Sequence, residues 1–213
     1  MDGRRFDADL RRRAAGARLI GVDEAGRGPL AGPVVVAAVA LPEEPSKELR
    51  KARDSKRMTP EGRQRLFGVI RSEALAVSVA WAHPSLIDRD NILAATLAGM
   101  GRCARRVAAK TGGGNVLVLV DGPREIRNFE LPQRTIIDGD NKSLSIAAAS
   151  IIAKVVRDRW MERLDRVHPG YGFGRHKGYG TEAHLLALDQ LGPCRIHRFS
   201  YEPVISRALE LSK

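Results

Sequence analysis

Nine consecutive residues, Gly21-Val22-Asp23-Glu24-Ala25-Gly26-Arg27-Gly28-Pro29, concentrate groups able to do chemistry. Two adjacent carboxylates run into a glycine-rich turn that carries a single arginine. Carboxylate oxygens suit a hard cation such as Mg²⁺, and glycines let a phosphodiester backbone come close. Further acids follow apolar runs downstream, at Asp121 and at Asp138-Gly139-Asp140. Carboxylates gathered at contact range repel one another unless a cation neutralises them. Two divalent ions held by such a set can activate a water and stabilise the leaving oxygen of a phosphodiester. Metal-assisted phosphate chemistry is therefore the expectation.

A competing pattern overlaps the turn. Gly26-Arg27-Gly28-Pro29-Leu30-Ala31 also fits the dinucleotide fingerprint G-x-G-x-x-G/A. That fingerprint requires a helix immediately afterwards, to bring its N-terminus to the pyrophosphate. The segment that follows, Gly32 to Leu41, is valine-rich and opened by Pro33, which reads as a strand. The dinucleotide reading is set aside.

The elements that position the acids can be read from periodicity. Arg18 to Leu41 reads as two strands joined by the glycine turn, and Leu75 to Trp81 alternates like a third. Asn115 to Val120 is almost wholly apolar, as a central strand buried on both faces would be. Gln133 to Ile137 makes a fifth strand. Helices are expected from Thr59 or Pro60 to Ser72, from Asp90 to Lys110 and from Thr181 to Leu191. Ser143 caps a long helix running to Val167, with Ile152, Val156, Trp160 and Leu164 as its buried stripe. The order implies an α/β fold with a mixed sheet. If the first and fourth strands are neighbours, Asp23 and Asp121 meet beyond their carboxyl ends. A strand sends adjacent side chains to opposite faces, so a break at Ala25-Gly26 has to re-aim Glu24.

Composition narrows the class. At 213 residues the chain suits one good-sized core, and 36 Lys and Arg against 25 Asp and Glu leave a net charge of +11. Such an excess is the footprint of a polyanion-binding protein, although arginine outnumbers lysine throughout and charge alone is a modest signal. No apolar run is long enough to span a membrane, and the N-terminal segment lacks the apolar core of a secretory signal. Cys103 and Cys194 are far apart, so free thiols and a cytoplasmic setting are expected. Zinc ligation by His176, His184 and His197 lacks the spacing of a metal finger. Trp81 and Trp160 fit core positions. Lys154 and Asp158, four apart on one helix, fit an ion pair or a supporting role near the site.

Several runs then point to one family. Gly21 to Val36, Asp54-Ser55-Lys56, Val120-Asp121-Gly122, and Gly139-Asp140 followed by Ser145 to Lys154 closely resemble ribonuclease HII. So do Arg157-Asp158-Arg159, His176 to Thr181 and Ile196-His197-Arg198, in the expected order across residues 18–203. The resemblance implies a ribonuclease H-like mixed five-stranded sheet flanked by helices, with a C-terminal helical extension. The chain is expected to divide into a basic N-terminal segment at 1–17, read from its arginines as an exposed helix or tail, a catalytic core at 18–168 and the extension at 169–213. The resemblance implies an endoribonuclease, dependent on Mg²⁺ or Mn²⁺ with two ions when substrate is bound. The RNA strand of an RNA–DNA hybrid is cut, and duplex DNA is incised 5′ to a single embedded ribonucleotide, giving 3′-hydroxyl and 5′-phosphate ends. By position, Asp23, Glu24, Asp121 and Asp140 correspond to the metal-binding acids. Gly26, Arg27 and Gly28 correspond to the reader of the 2′-hydroxyl, Tyr179 to an aromatic that stacks at the junction, and Lys56 to a phosphate contact. His176 and Lys177 lie in the same glycine-rich loop as Tyr179, in reach of the substrate backbone. Asp138 stands where the family commonly has a basic residue, and of that pair Asp140 is taken as the ligand. No protein partner is evident, and nothing demands more than a monomer.

Overall fold

The computed structural model describes residues 3–52, 55 and 58–210. Its strands are β1 (Arg18–Ala25), β2 (Val34–Ala40), β3 (Ala76–Ala82), β4 (Val116–Asp121) and β5 (Gln133–Ile136). Helix α1 (Gly3–Arg13) precedes them; α2 (Pro60–Glu73) lies between β2 and β3, and α3 (Pro84–Asp90) and α4 (Ile92–Lys110) between β3 and β4. After β5 come α5 (Gly139–Lys142), α6 (Leu144–Val167), α7 (Phe173–His176), α8 (Glu182–Leu191) and α9 (Val204–Glu210).

The five strands form one sheet in the order β3-β2-β1-β4-β5. β1 pairs antiparallel with β2, and β2 with β3, while β1–β4 and β4–β5 are parallel. This is the mixed sheet expected, and the short link between β1 and β2 permits no parallel crossover. Each face carries its own core. Ile20, Val22, Val36 and Ala38 pack with Met100, Ala104 and Val107 of α4. Ala37 and Val39 on the other face meet Leu66 and Ile70 of α2 and Ala148 and Ile152 of α6. The C-terminal helices gather on Met161 of α6, with Tyr171, Phe173, Ala187 and Ile196.

Local signals explain the helix boundaries. The Thr59 hydroxyl accepts from Gly62 N–H with Pro60 at the first helical position, and the Ser143 hydroxyl accepts from Ile146 N–H. The helix expected from Asp90 to Lys110 is α4, and a further short helix, α3, precedes it: Asn91 adopts a positive φ of 66°, ends α3 and caps α4 by accepting from Ala94 N–H.

Three expectations are corrected. In α6, Ile152 is buried, but Val156, Trp160 and Leu164 are only partly so, and the buried positions include Ile151, Val155, Arg157 and Met161. A spacing of four overshoots the helical turn by about 40° per step, so the series walks off the buried face. Trp81 and Trp160 are not core residues: Trp81 lies on edge strand β3, 44% exposed, with its ring 5.4 Å from that of Trp160. The N-terminal segment is a helix but not a free one. Asp7 is buried, and its Oδ2 accepts from the N–H and hydroxyl of Ser145 in the first turn of α6, where a carboxylate also meets the positive end of the helix dipole. Burial raises the Asp7 carboxyl despite those bonds.

α6 crosses β1 at backbone distance. A Cβ at Gly21 would overlap the carbonyl carbon and oxygen of Ser145, and Ala147, Ala148 and Ala149 keep the following turn close. Gly21→Ala is therefore expected to cost about 3 kcal/mol, read as a lower urea midpoint at unchanged slope. Gly68→Ala, in α2 with open space around the added methyl, should instead stabilise by about 0.5–1 kcal/mol. Equal effects of the two substitutions would refute the close-approach argument.

Candidate active site

The parallel register of β1 on β4 sets Val22 beside Val120, so the next residues, Asp23 and Asp121, emerge together at the carboxyl ends of neighbouring strands. A cleft of about 220 Å³ opens there, lined by Asp23, Glu24, Ala25, Gly26, Arg27, Gly28, Ser55, Asp121, Asp140, Ser150, Lys154, Arg157 and Tyr179. All four expected acids, the turn and the tyrosine share it.

Each acid is held differently. Asp23 is 5% exposed, and its Oδ1 accepts from Glu24 N–H at 2.7 Å. Asp121 Oδ1 accepts from Gly139 N–H at 2.7 Å, which ties the end of β4 to the start of α5 and brings Asp140 into the first turn of that helix. Asp138, with φ 53°, is exposed and outside the cleft lining. Glu24 lies on the opposite face by alternation, yet its longer side chain lines the same cleft and its Oε1 stands 3.4 Å from Arg27 Nη1. The ladder continues through Glu24–Val36 and Ala25–Val35, so no backbone break re-aims Glu24.

The electrostatics are unfavourable to the acids alone. Burial first, then the charges of Glu24 and Asp121, push the Asp23 carboxyl well above the usual carboxylate range. An all-oxygen donor set around a carboxyl so raised suits a hard divalent cation. Among the described residues no three or more Asp, Glu, His or Cys side chains are grouped as a metal ion would require. Lys154 lines the cleft, and its Nζ bonds Asp158 Oδ1 at 2.8 Å with both side chains about four-fifths buried.

The side of the cleft formed by the glycine turn is built by close backbone approach. Gly26 has φ 97°, and a Cβ there would overlap the Arg157 guanidinium. Gly28 and Tyr179 are neighbours, a Cβ at Gly28 falling 4.0 Å from the Tyr179 ring. Tyr179 is 43% exposed, and the Arg157 guanidinium lies 6.0 Å from its ring centre.

The remaining candidates separate. His176 points away from the cleft: its Nε2 bonds the Tyr171 carbonyl and its Nδ1 accepts from Gly178 N–H. Lys177 Nζ is engaged by Glu162 and the Gly174 carbonyl, which leaves both residues supporting the loop. Lys56 and Asp54 lie outside the described residues. His184 and His197 meet through their Nε2 atoms at 3.0 Å; burial, then the proximity of His184, lowers His197 to about 4.

Two residues quoted in the motifs without a role turn out to be central. Arg157 and Arg198 are 1% and 0% exposed, and neither forms an ion pair among the described residues. Arg157 donates to the carbonyls of Pro33, Ala31 and Lys177, and Arg198 to those of Gly26, Arg27 and Gly32. Burial lowers both, Arg157 to about 10, which still leaves it charged at neutral pH. For Arg157 the available signal was its spacing of four from Ala153 and from Met161, both buried in α6. A second groove of about 510 Å³ shares Asp140 with the cleft and is lined by Arg50, Lys51 and Arg65, beside Gly3 and Asn141.

The chain is similar to known proteins over most of its length. The family model described as Ribonuclease HII matches residues 20–204. A Ribonuclease HII of Geobacter sp. (strain M21) is 54% identical over 187 residues, 88% of this chain and 78% of that protein. One from Geobacter metallireducens is 51% identical over 184 residues, 86% of this chain and 83% of that protein. Among solved structures, ribonuclease H2 from Pyrococcus horikoshii superposes with a TM-score of 0.69 at 26% identity, covering 92% of this chain and 99% of that one. The ribonuclease HII in the PCNA complex from Archaeoglobus fulgidus gives 0.70 at 27% identity, over 87% and 95%. With the family model spanning β1 to the start of α9, and relatives at half identity over most of the chain, this nuclease belongs to the ribonuclease HII family.

Proposed function

We propose that the chain is a divalent-metal-dependent endoribonuclease that cuts the RNA strand of RNA–DNA hybrids. It also incises duplex DNA 5′ to a single embedded ribonucleotide, leaving 3′-hydroxyl and 5′-phosphate ends. The observation that carries the reading is one cleft shared by four carboxylates, a Gly-Arg-Gly turn and an exposed tyrosine. Asp23, Glu24, Asp121 and Asp140 would hold Mg²⁺ or Mn²⁺. Bound there, a pair of such ions supplies an activated water and charge neutralisation at the leaving oxygen.

The protein's own residues do the rest. Asp23 and Asp121 present oxygens from a rigid sheet, and each accepts one backbone N–H, from Glu24 and from Gly139. Lys154, leashed to Asp158, keeps a cation beside the acids where a scissile phosphate must come. The Gly26-Arg27-Gly28 turn offers backbone donors within reach of a 2′-hydroxyl, the group that separates RNA from DNA at one position. Tyr179 has the exposure needed to stack on a sugar or base. The groove beside Asp140, with Arg50, Lys51 and Arg65, extends the anion-binding surface along the strand. In this reading residues 18–168 form the catalytic core, and 169–213 the extension that brings Tyr179 to it. The N-terminal segment docks on α6 and adds positive charge. Among the described residues no helix is long and apolar enough to cross a membrane, and both cysteines are free; a monomer working in the cytoplasm is the setting we infer.

The direct test is a DNA duplex with one ribonucleotide, incubated with Mg²⁺ or Mn²⁺ against an EDTA control and an all-DNA duplex. Metal-dependent nicking 5′ to the ribonucleotide is expected; binding without nicking in either metal would overturn the catalytic reading. Asp121→Asn should lower cleavage by at least about a hundredfold while hybrid binding survives, and full activity would remove Asp121 from the site. Tyr179→Ala should lower incision at a single ribonucleotide about tenfold, the worth of one stacking contact, with metal-induced thermal stabilisation unchanged. An unaltered rate on that duplex would take Tyr179 out of the site.

The raised Asp23 carboxyl also has a stability consequence. An acid harder to ionise folded than unfolded contributes stability while protonated and loses it as pH rises from the ordinary carboxylate range through its raised value. In EDTA the protein should therefore lose stability across that window. Asp23→Asn should flatten the loss and raise the neutral-pH Tm by about 2–4 °C, the shift that about 1 kcal/mol produces at this size, while abolishing cleavage. A lower Tm for Asp23→Asn would show that the carboxylate is stabilising without metal.

A further inference from the structure

We propose that the adjacent residues His197 and Arg198 are positioning residues for ribose recognition: Arg198 sets the Gly26-Arg27-Gly28 turn, and His197, through His184, sets Tyr179. The inference rests on the reading of that turn and Tyr179 as the ribonucleotide-recognition element.

Arg198 is completely buried, a costly state for a charge unless hydrogen bonds replace its water. Its Nη2 donates to the Gly26 carbonyl at 2.6 Å and to Gly32 at 3.0 Å, its Nη1 to Arg27 at 2.7 Å and its Nε to Gly32 at 3.2 Å. The Tyr201 hydroxyl donates to the same Arg27 carbonyl at 3.0 Å. Four bonds to three carbonyls leave from three nitrogens spread over one planar fork, an arrangement that the single ammonium nitrogen of a lysine cannot reproduce.

The consequence follows from peptide planarity. The peptides after Gly26 and after Arg27 are trans, and in a trans peptide the C=O of one residue and the N–H of the next point in opposite directions. Drawing the carbonyls of Gly26 and Arg27 onto Arg198 turns the N–H groups of Arg27 and Gly28 away from it. Both residues line the cleft, and Arg198 does not. A buried cation thus orients two backbone donors on the side where a 2′-hydroxyl would lie.

His197 does the corresponding work for Tyr179. Cys194 N–H donates to His197 Nδ1 at 2.9 Å, so the His197 proton sits on Nε2 and is donated to His184 Nε2 at 3.0 Å. That leaves the His184 proton on Nδ1, donated to the Tyr179 carbonyl at 2.9 Å. Main-chain bonds bind the same segment to the turn: Arg198 N–H to the Leu30 carbonyl and Gly32 N–H to the Ile196 carbonyl, both at 2.8 Å. None of these bonds reaches Asp23, Asp121 or Asp140, so reading can be damaged while the acids stay in place.

The test is equilibrium competition in Mg²⁺ between a duplex with one ribonucleotide and the same duplex in all-DNA form, in an Asp121→Asn background so that nothing is cut. The quantity read is the ratio of the two affinities. Partial unfolding scales both affinities equally and leaves that ratio alone. Arg198→Lys should collapse the preference for the ribonucleotide by about tenfold or more, with all-DNA affinity within about twofold of the parent. His197→Phe and Tyr201→Phe should each lower the ratio by about threefold. Folded Arg198→Lys with the parental ratio overturns the proposal. If Arg198→Lys does not fold, Tyr201→Phe decides, since it removes one bond to the Arg27 carbonyl at the surface, and an unchanged ratio there overturns it. A parent with no ribose preference at all would instead overturn the recognition reading, and this inference with it.

Discussion

Parallel pairing of β1 with β4, Val22 beside Val120, is the constraint from which the site follows. It brings two acids from residues far apart in sequence to the same end of adjacent strands, and it needs no help from the loops to do so. Gly21 makes the register workable, since α6 lies directly on the backbone there and admits no side chain. The same helix then delivers Ser150, Lys154 and Arg157 to the cleft. Its capped start at Ser143 fixes where along β1 those residues fall.

The cleft divides into two electrostatic halves. On one, buried and half-buried carboxylates are crowded until Asp23 resists ionisation. On the other, Arg157 in the cleft wall and Arg198 behind the turn are buried without an ion-pair partner among the described residues and spend their donors on backbone carbonyls. The two halves do not cancel one another directly. Arg198 reaches no acid of the site, and the acids face the open side, where a cation and a phosphate can come. A fold optimised for stability alone would neutralise both; leaving both charged stores binding capacity at the cost of stability, the usual relation at a functional site.

How much of this the sequence discloses depends on how local the cause is. Ser143, Thr59 and Pro60 act within one turn, and the helix starts they imply are where they were expected. The buried central strand Val116–Asp121 and the acid at its end follow from an apolar run meeting a turn. Causes that span the chain were not legible. Nothing near Asp7 says that it caps a helix beginning at residue 144, so α1 read as a free basic segment. Trp81 alternates like a core residue, and only the strand order, which places β3 at the edge, exposes it. The α6 stripe failed for a geometric reason, because a spacing of four drifts around the helix and Arg157 occupies the face that an apolar pattern would claim.

The two buried arginines show why motif residues deserve a physical reading beyond their membership. Arg198 sits beside His197 in a short tail motif with no apolar pattern, yet the chain returns there to complete the turn made at residues 26–28. A carbonyl-rich turn has no means of choosing which way its peptides face, since the flips differ little in energy when solvent satisfies either edge. A fixed cation on one side removes that freedom. The acids need no such aid, being carried by a paired strand and a helix start. Under the proposed function, cutting falls to the sheet and reading to a loop held from residues 169–213, which makes that segment part of the recognition element rather than an appendage to it.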